Sequence, residues 1–215
     1  MMFAAITPEK EAMAQLRENK KRETRQRISD VATGLFFERG YDAVTVDEIA
    51  VAAQVSKMTI FNYFARKEEL ILDREDDLKL LPFRQALRSR PAGQAPLAAL
   101  RALVQEMHQQ KHAMCHVSSQ AVDWWAVVEA SPALKARLRE LADEAAEELA
   151  IELGGADPDA STRLMAGMIV LTVRLAREEA MRLVKHKDSA NKASAAFLAL
   201  MEEGFSAAER LQQNR

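Results

Sequence analysis

The sequence predicts an all-α protein: a three-helix module at the N-terminus, then a larger helical domain, about nine helices in all. Glycine and proline are scarce, 7 and 6 in 215 residues, and the chain is 48% apolar. That composition favours helices, starves sheets of turn residues and suffices for a real core. No stretch sustains a period-two alternation of Val, Ile and aromatic residues.

The elements follow from apolar spacing and caps. Ile28, Val31, Ala32, Leu35 and Phe36 form one stripe on a helix over about 22–38, and Gly40 after Arg39 stops it. Thr45 caps the next helix, with Glu48 at the capping-box distance and Asp47 beside the positive helix end. Ile49, Ala50 and Ala53 face inward, and the helix ends near Gln54 and Val55. Ser56 caps a second short helix from Lys57 to Tyr63. Two short capped helices about three residues apart make a helix-turn-helix, with its motif at 45–64. A further helix is expected from Lys67 through Leu78, with Pro82 ending or kinking it. After the Arg90–Pro96 loop come helices over 97–110 and 118–128. Ser131-Pro132 and Asp157-Pro158 each read as a cap followed by a first-turn proline. The helix to about Lys185 is apolar on several faces, and the last begins near Ser189.

Charge and cysteine narrow the function classes. Net charge is −2, but six basic residues (Arg17, Lys20, Lys21, Arg22, Arg25, Arg27) face two acidic ones between positions 17 and 27. This basic arm suits an anionic partner or, equally, a solvated helix start. The single cysteine, Cys115, leaves no internal disulfide framework and suits a reducing, cytoplasmic setting. The start, Met1-Met2-Phe3, has no long apolar run, and Leu164–Leu175 is too short for a membrane span and ends beside Arg174.

The run from Thr45 to Leu70, TVDEIAVAAQVSKMTIFNYFARKEEL, resembles the DNA-binding domain of the TetR family of bacterial regulators. Amphipathic helix, glycine turn, capping box, Val-Ser turn and Tyr-Phe followed by Lys occur in the family's order, across 22–82. Gln54 stands at a usual glycine, Met58 at a usual small residue, and Phe61 where many members have a tyrosine. A recognition helix presents its first residues to base edges. Lys57 can donate to guanine and Thr59 can meet a thymine methyl, while Asn62 can pair with adenine. Thr45, Tyr63 and Lys67 suit the phosphate backbone. The resemblance implies DNA contacts at Thr45, Ser56, Lys57, Thr59, Asn62, Tyr63 and Lys67. Ile60 and Phe64 read as module core.

The resemblance also implies a repressor with an effector-binding and dimerisation domain over 83–215. It would form a homodimer through its last two helices, about 158–185 and 189–213, bind double-stranded operator DNA and need no cofactor. The Ser131–Leu138 helix, after Trp124-Trp125, is similar to C-terminal domains of some mycofactocin-type regulators. Met107, His108, Trp124, Trp125, Met168 and Arg174 are candidates to line a small, largely apolar effector pocket, although such residues are more often ordinary core. Arg174 and Glu178, four apart, can simply pair. Two rival readings stand beside this one: a metal sensor using His108, His112, Cys115 and His116, and a helical adaptor that binds no DNA. The absence of a phosphate loop, nucleophile elbow or paired carboxylates points away from an enzyme.

Overall fold

The structure, a computed structural model, describes residues 8–72 and 75–213; the Met1-Met2-Phe3 start lies outside them. The chain divides into two compact units after Asp73. Every regular element among the described residues is a helix, with no strand among them.

In the first unit, α1 (Pro8–Arg39) is longer than its apolar stripe predicts, because it begins well before the first core residue, Ile28. Gly40 ends it at φ +81°, its N–H bonded to the Phe36 carbonyl at 2.9 Å. Helices α2 (Val46–Ala52) and α3 (Lys57–Tyr63) follow, then a single 3-10 turn at Lys67–Leu70. Ile28, Ala32 and Phe36 pack in one core with Ile49, Ile60, Phe64 and Leu70, all at most 1% exposed. Ser29 closes the far end by donating from its hydroxyl to the Leu70 carbonyl.

The second unit holds α4 (Glu75–Leu78, one turn), α5 (Leu81–Ser89), α6 (Pro96–Gln109), α7 (Ser119–Ala130), α8 (Pro132–Gly154), α9 (Ala160–Lys185) and α10 (Ala190–Gln213). Two expectations are corrected here. The helix foreseen from Lys67 through Leu78 is instead the 3-10 turn and the separate α4. Pro82 does not end a helix but occupies the first turn of α5, where a missing N–H costs nothing. The structural division therefore falls nine residues before the boundary at Pro82, since Leu80, Phe83 and Leu87 belong to the second unit's core. In addition, α9 starts two residues later than Asp157-Pro158 suggests, because Asp159 is the cap that accepts from the Thr162 N–H at 2.8 Å.

That core joins α5, α6, α8, α9 and α10 through Leu97, Leu100, Leu149, Ile169, Phe197 and Phe205. Helices α9 and α10 approach closely where Gly204 meets Thr172: a Cβ at 204 would lie 2.2 Å from the Thr172 hydroxyl. Charged pairs span the helices: Arg101 of α6 holds Glu202 and Glu209 of α10, and Arg84 of α5 holds Glu148 and Glu152 of α8.

Candidate functional site

The helix-turn-helix is built from the caps outward. The Thr45 hydroxyl accepts from the Glu48 N–H at 3.2 Å, and the Glu48 carboxylate accepts from the Thr45 N–H at 2.7 Å. Arg39 adds a 2.7 Å ion pair. The Thr45 N–H and hydroxyl, then Arg39, hold the Glu48 carboxyl down at about 2. Helix α2 ends with the Val55 N–H reaching back to the Ala50 carbonyl at 3.0 Å, across Gln54 at φ 55°. This is the left-handed turn that a glycine would adopt freely, and here a glutamine carries it. Ser56 then caps α3, accepting from the Thr59 N–H at 2.9 Å, with the two hydroxyls 2.8 Å apart.

These constraints set the faces of α3. Ile60 and Phe64 point into the core, at 1% and 0% exposed. Lys57, Met58, Phe61 and Asn62 are exposed, and Thr59 and Tyr63 are half-buried. Lys57 pairs with Asp47 of α2 at 2.8 Å, an exposed contact that leaves the ammonium at the surface. The Tyr63 carbonyl accepts from Arg25 of α1, whose guanidinium lies 4.2 Å from the Phe64 ring centroid. Lys67 is turned inward: its ammonium donates to the Tyr41 carbonyl at 2.6 Å and sits 4.0 Å from the Tyr41 ring centroid. Burial lowers its pKa. Thr45, Ser56, Lys57, Thr59, Asn62 and Tyr63 thus lie on or beside two neighbouring short helices. Lys67 ties the 3-10 turn to the end of α1.

In the second unit a cleft of about 80 Å³ opens between α4, α7, α8 and α9. Leu78, Leu80, Trp125, Leu141, Val173 and Met181 line its apolar walls, with Asp77, Arg174 and Arg177 at the polar part. The volume is well below the few hundred Å³ of a drug-sized site, so an occupant of that size needs the helices to separate. Of the candidates from sequence, Trp125 and Arg174 line it. Arg174 also pairs with Glu178 at 3.3 Å. Trp124 stacks on Trp125 at 5.7 Å, Met107 is core, and Met168 is half-buried on α9. Leu78, Leu80, Leu141 and Arg177 carry no signal in the sequence beyond helical spacing, because their convergence is a product of tertiary packing.

His108 and His116 lie elsewhere, stacked with centroids 5.1 Å apart. The metal-sensor reading is corrected on this geometry. Among the described residues, no three of His, Cys, Asp and Glu come together as metal donors. The His116 ring nitrogens are engaged with the His108 carbonyl and the Ser194 hydroxyl, each at 3.1 Å. His112 Nδ1 accepts the Met114 N–H, and burial pushes the Cys115 thiol up to about 11. No described helix is long and apolar enough to cross a membrane.

A capped α2, a tight turn and a capped α3 with one face exposed, locked onto α1, make a helix-turn-helix module. Residues 28–73 match the family described as bacterial regulatory proteins, tetR family. Residues 28–73 thus form a DNA-binding domain of the TetR type. It is similar to the HTH-type transcriptional regulator TcmR of Streptomyces glaucescens, 41% identical over 85 residues, 40% of this chain and 37% of that protein. It is also similar to the transcriptional activator FasR of Mycolicibacterium smegmatis, 40% identical over 70 residues, 31% of this chain and 32% of that protein. The match therefore spans about a third of either relative. A solved structure of SmeT in complex with triclosan shares the fold, with a TM-score of 0.57, 18% identity, and coverage of 86% of this chain and 91% of that one.

Proposed function

We propose that the chain is a homodimeric, sequence-specific repressor that releases operator DNA when a small, largely apolar effector enters the second unit. The observation that carries the DNA-binding part is the outward face of α3. Lys57 and Asn62 stand exposed there, and Thr59 stands at the capped first turn, while the opposite face is sealed into the core. A helix so presented fits the major groove, with Lys57, Thr59 and Asn62 toward base edges. Thr45, Ser56 and Tyr63 set register on the phosphates, while Lys67, held on the Tyr41 carbonyl, braces the module from within instead of reaching the DNA.

The dimer reading rests on α9 and α10. Leu164, Leu171 and Leu175 are exposed at 55%, 44% and 45%, spaced along one side of α9. Beside them Leu175, Ala196, Ala199 and Leu200 line a shallow groove whose small side chains admit a second helix pair. An isologous dimer doubles the recognition helix and matches two half-sites one DNA turn apart. The effector reading rests on the cleft around Trp125, and the triclosan bound by SmeT is a ligand of the chemistry such walls favour. Effector binding would favour a dimer geometry whose two recognition helices no longer fit adjacent grooves.

Selection of binding sites from random DNA with the purified chain, followed by band shifts at fixed salt, tests the reading. The expected result is one enriched palindromic sequence, with affinity at least tenfold lower for the double variant Lys57→Ala, Tyr63→Ala. Undiminished affinity of that variant sinks the α3 assignment. A promoter bearing the selected site is repressed in this reading; activation, the role named for FasR, reverses its sign.

A further inference from the structure

We propose that Met58 reads sequence, its side chain making an apolar contact with the 5-methyl group of a thymine in the major groove. This rests on α3 being the recognition helix. Successive residues of a helix turn about 100°. Ile60 and Phe64 set the direction of the core, so the opposite face is centred on Met58 and Asn62, four residues apart. Met58 is 70% exposed and Phe61, one turn on, 43%. These are two large apolar side chains held in water on a helix of seven residues.

Nothing in the fold accounts for that exposure. The module core is complete without Met58, and a short polar side chain there would serve solubility and helix formation as well. A partner with an apolar group at that place does account for it. In the major groove the bases offer hydrogen-bond donors and acceptors, and one protruding apolar group, the thymine methyl. Lys57 and Asn62 beside the ridge supply charge and hydrogen bonds complementary to the rest of the groove. The Met58 face is thus continuous with the polar reading face and differs from it only in chemistry. The unbranched thioether adapts its rotamer to a single methyl group without disturbing the helix, and Phe61 bounds the ridge on the Lys57 side.

Deoxyuridine differs from thymidine in that position only by the missing methyl, so it isolates the contact. With the full chain and its selected operator, each thymine is replaced in turn by deoxyuridine, and affinity is measured by fluorescence anisotropy at fixed salt. For the wild type, one thymine per half-site is expected to cost about three- to tenfold when demethylated, the scale of removing one methyl from an apolar contact. Met58→Ala is expected to bind the thymine operator weaker by a similar factor and to discriminate the two bases less than twofold. Met58→Leu keeps the discrimination. Because the side chain is exposed, both variants are expected to melt as the wild type does. Equal discrimination by wild type and Met58→Ala overturns the proposal, as does a wild type indifferent to every thymine methyl. Failure of the wild type to select any sequence overturns the recognition-helix reading itself, a result distinct from either.

Discussion

The two units hold their helices in place by different means. In the first, short helices are fixed at their ends. Thr45 and Ser56 cap α2 and α3, and the Arg25 and Lys67 cations close on the Tyr63 and Tyr41 carbonyls around a small core. In the second, long helices are fixed along their flanks by a continuous core and by arginine–glutamate pairs running from α5 to α8 and from α6 to α10. End-fixed helices fail at single residues of known position. Flank-fixed helices spread any loss over many contacts and can open a cleft between them.

The sharpest way to break this comparison is Phe36→Ala. Phe36 is fully buried and packs on Tyr41 with centroids 5.0 Å apart. A loss of about 3–5 kcal/mol is expected, and it should fall on the first unit. Hydrogen exchange followed by mass spectrometry should show α1, α2 and α3 losing protection while α8 to α10 keep theirs. Equal loss in both units would show that the division at Asp73 has no energetic meaning. The counterpart is Gly204→Ala, which drives a methyl into Thr172. About 1–3 kcal/mol is expected from overpacking, read as a lower melting temperature of the second unit with the protection of α1, α2 and α3 unaltered.

A smaller effect distinguishes the caps. Thr45→Ala should cost about 1 kcal/mol and should change the acid limb of the stability curve. The Glu48 carboxyl is held at about 2 in the folded chain, below its ordinary 4.5. Its contribution is therefore fully present above pH 4.5 and is lost as pH falls toward 2. Without the threonine hydroxyl that loss should be shallower in acid melts; an unchanged acid limb would remove Glu48 from the account. The smallest effect is Gln54→Gly, which relieves the left-handed strain and should stabilise the first unit by up to about 1 kcal/mol, partly offset by the freedom glycine gains on unfolding.

The same contrast explains what was legible in the sequence. The capping box at Thr45 and Glu48, the Ser56 cap and the Ser131-Pro132 start are local features, each decided by residues within a turn of one another. All are found as the sequence implies. What was illegible is settled at a distance. The 3-10 turn at Lys67 replaces a foreseen helix because its lysine is pulled onto Tyr41, 26 positions earlier. Pro82 starts α5 rather than ending a helix because Phe83 and Leu87 enter the second core. The cleft draws Leu78, Trp125, Leu141 and Arg177 from four helices. Periodicity marks such residues as inward-facing but does not say which of them meet around a space.

The seclusion of Cys115 has a practical corollary. The chain's one thiol is buried and its ionisation is suppressed, so the folded protein should be slow to react with maleimides. A cysteine introduced at an exposed site on α3 or α9 would then be the single reactive position. It could take a fluorophore or spin label without first engineering a cysteine-free background, so a label on α3 would report the distance between two copies in the proposed dimer.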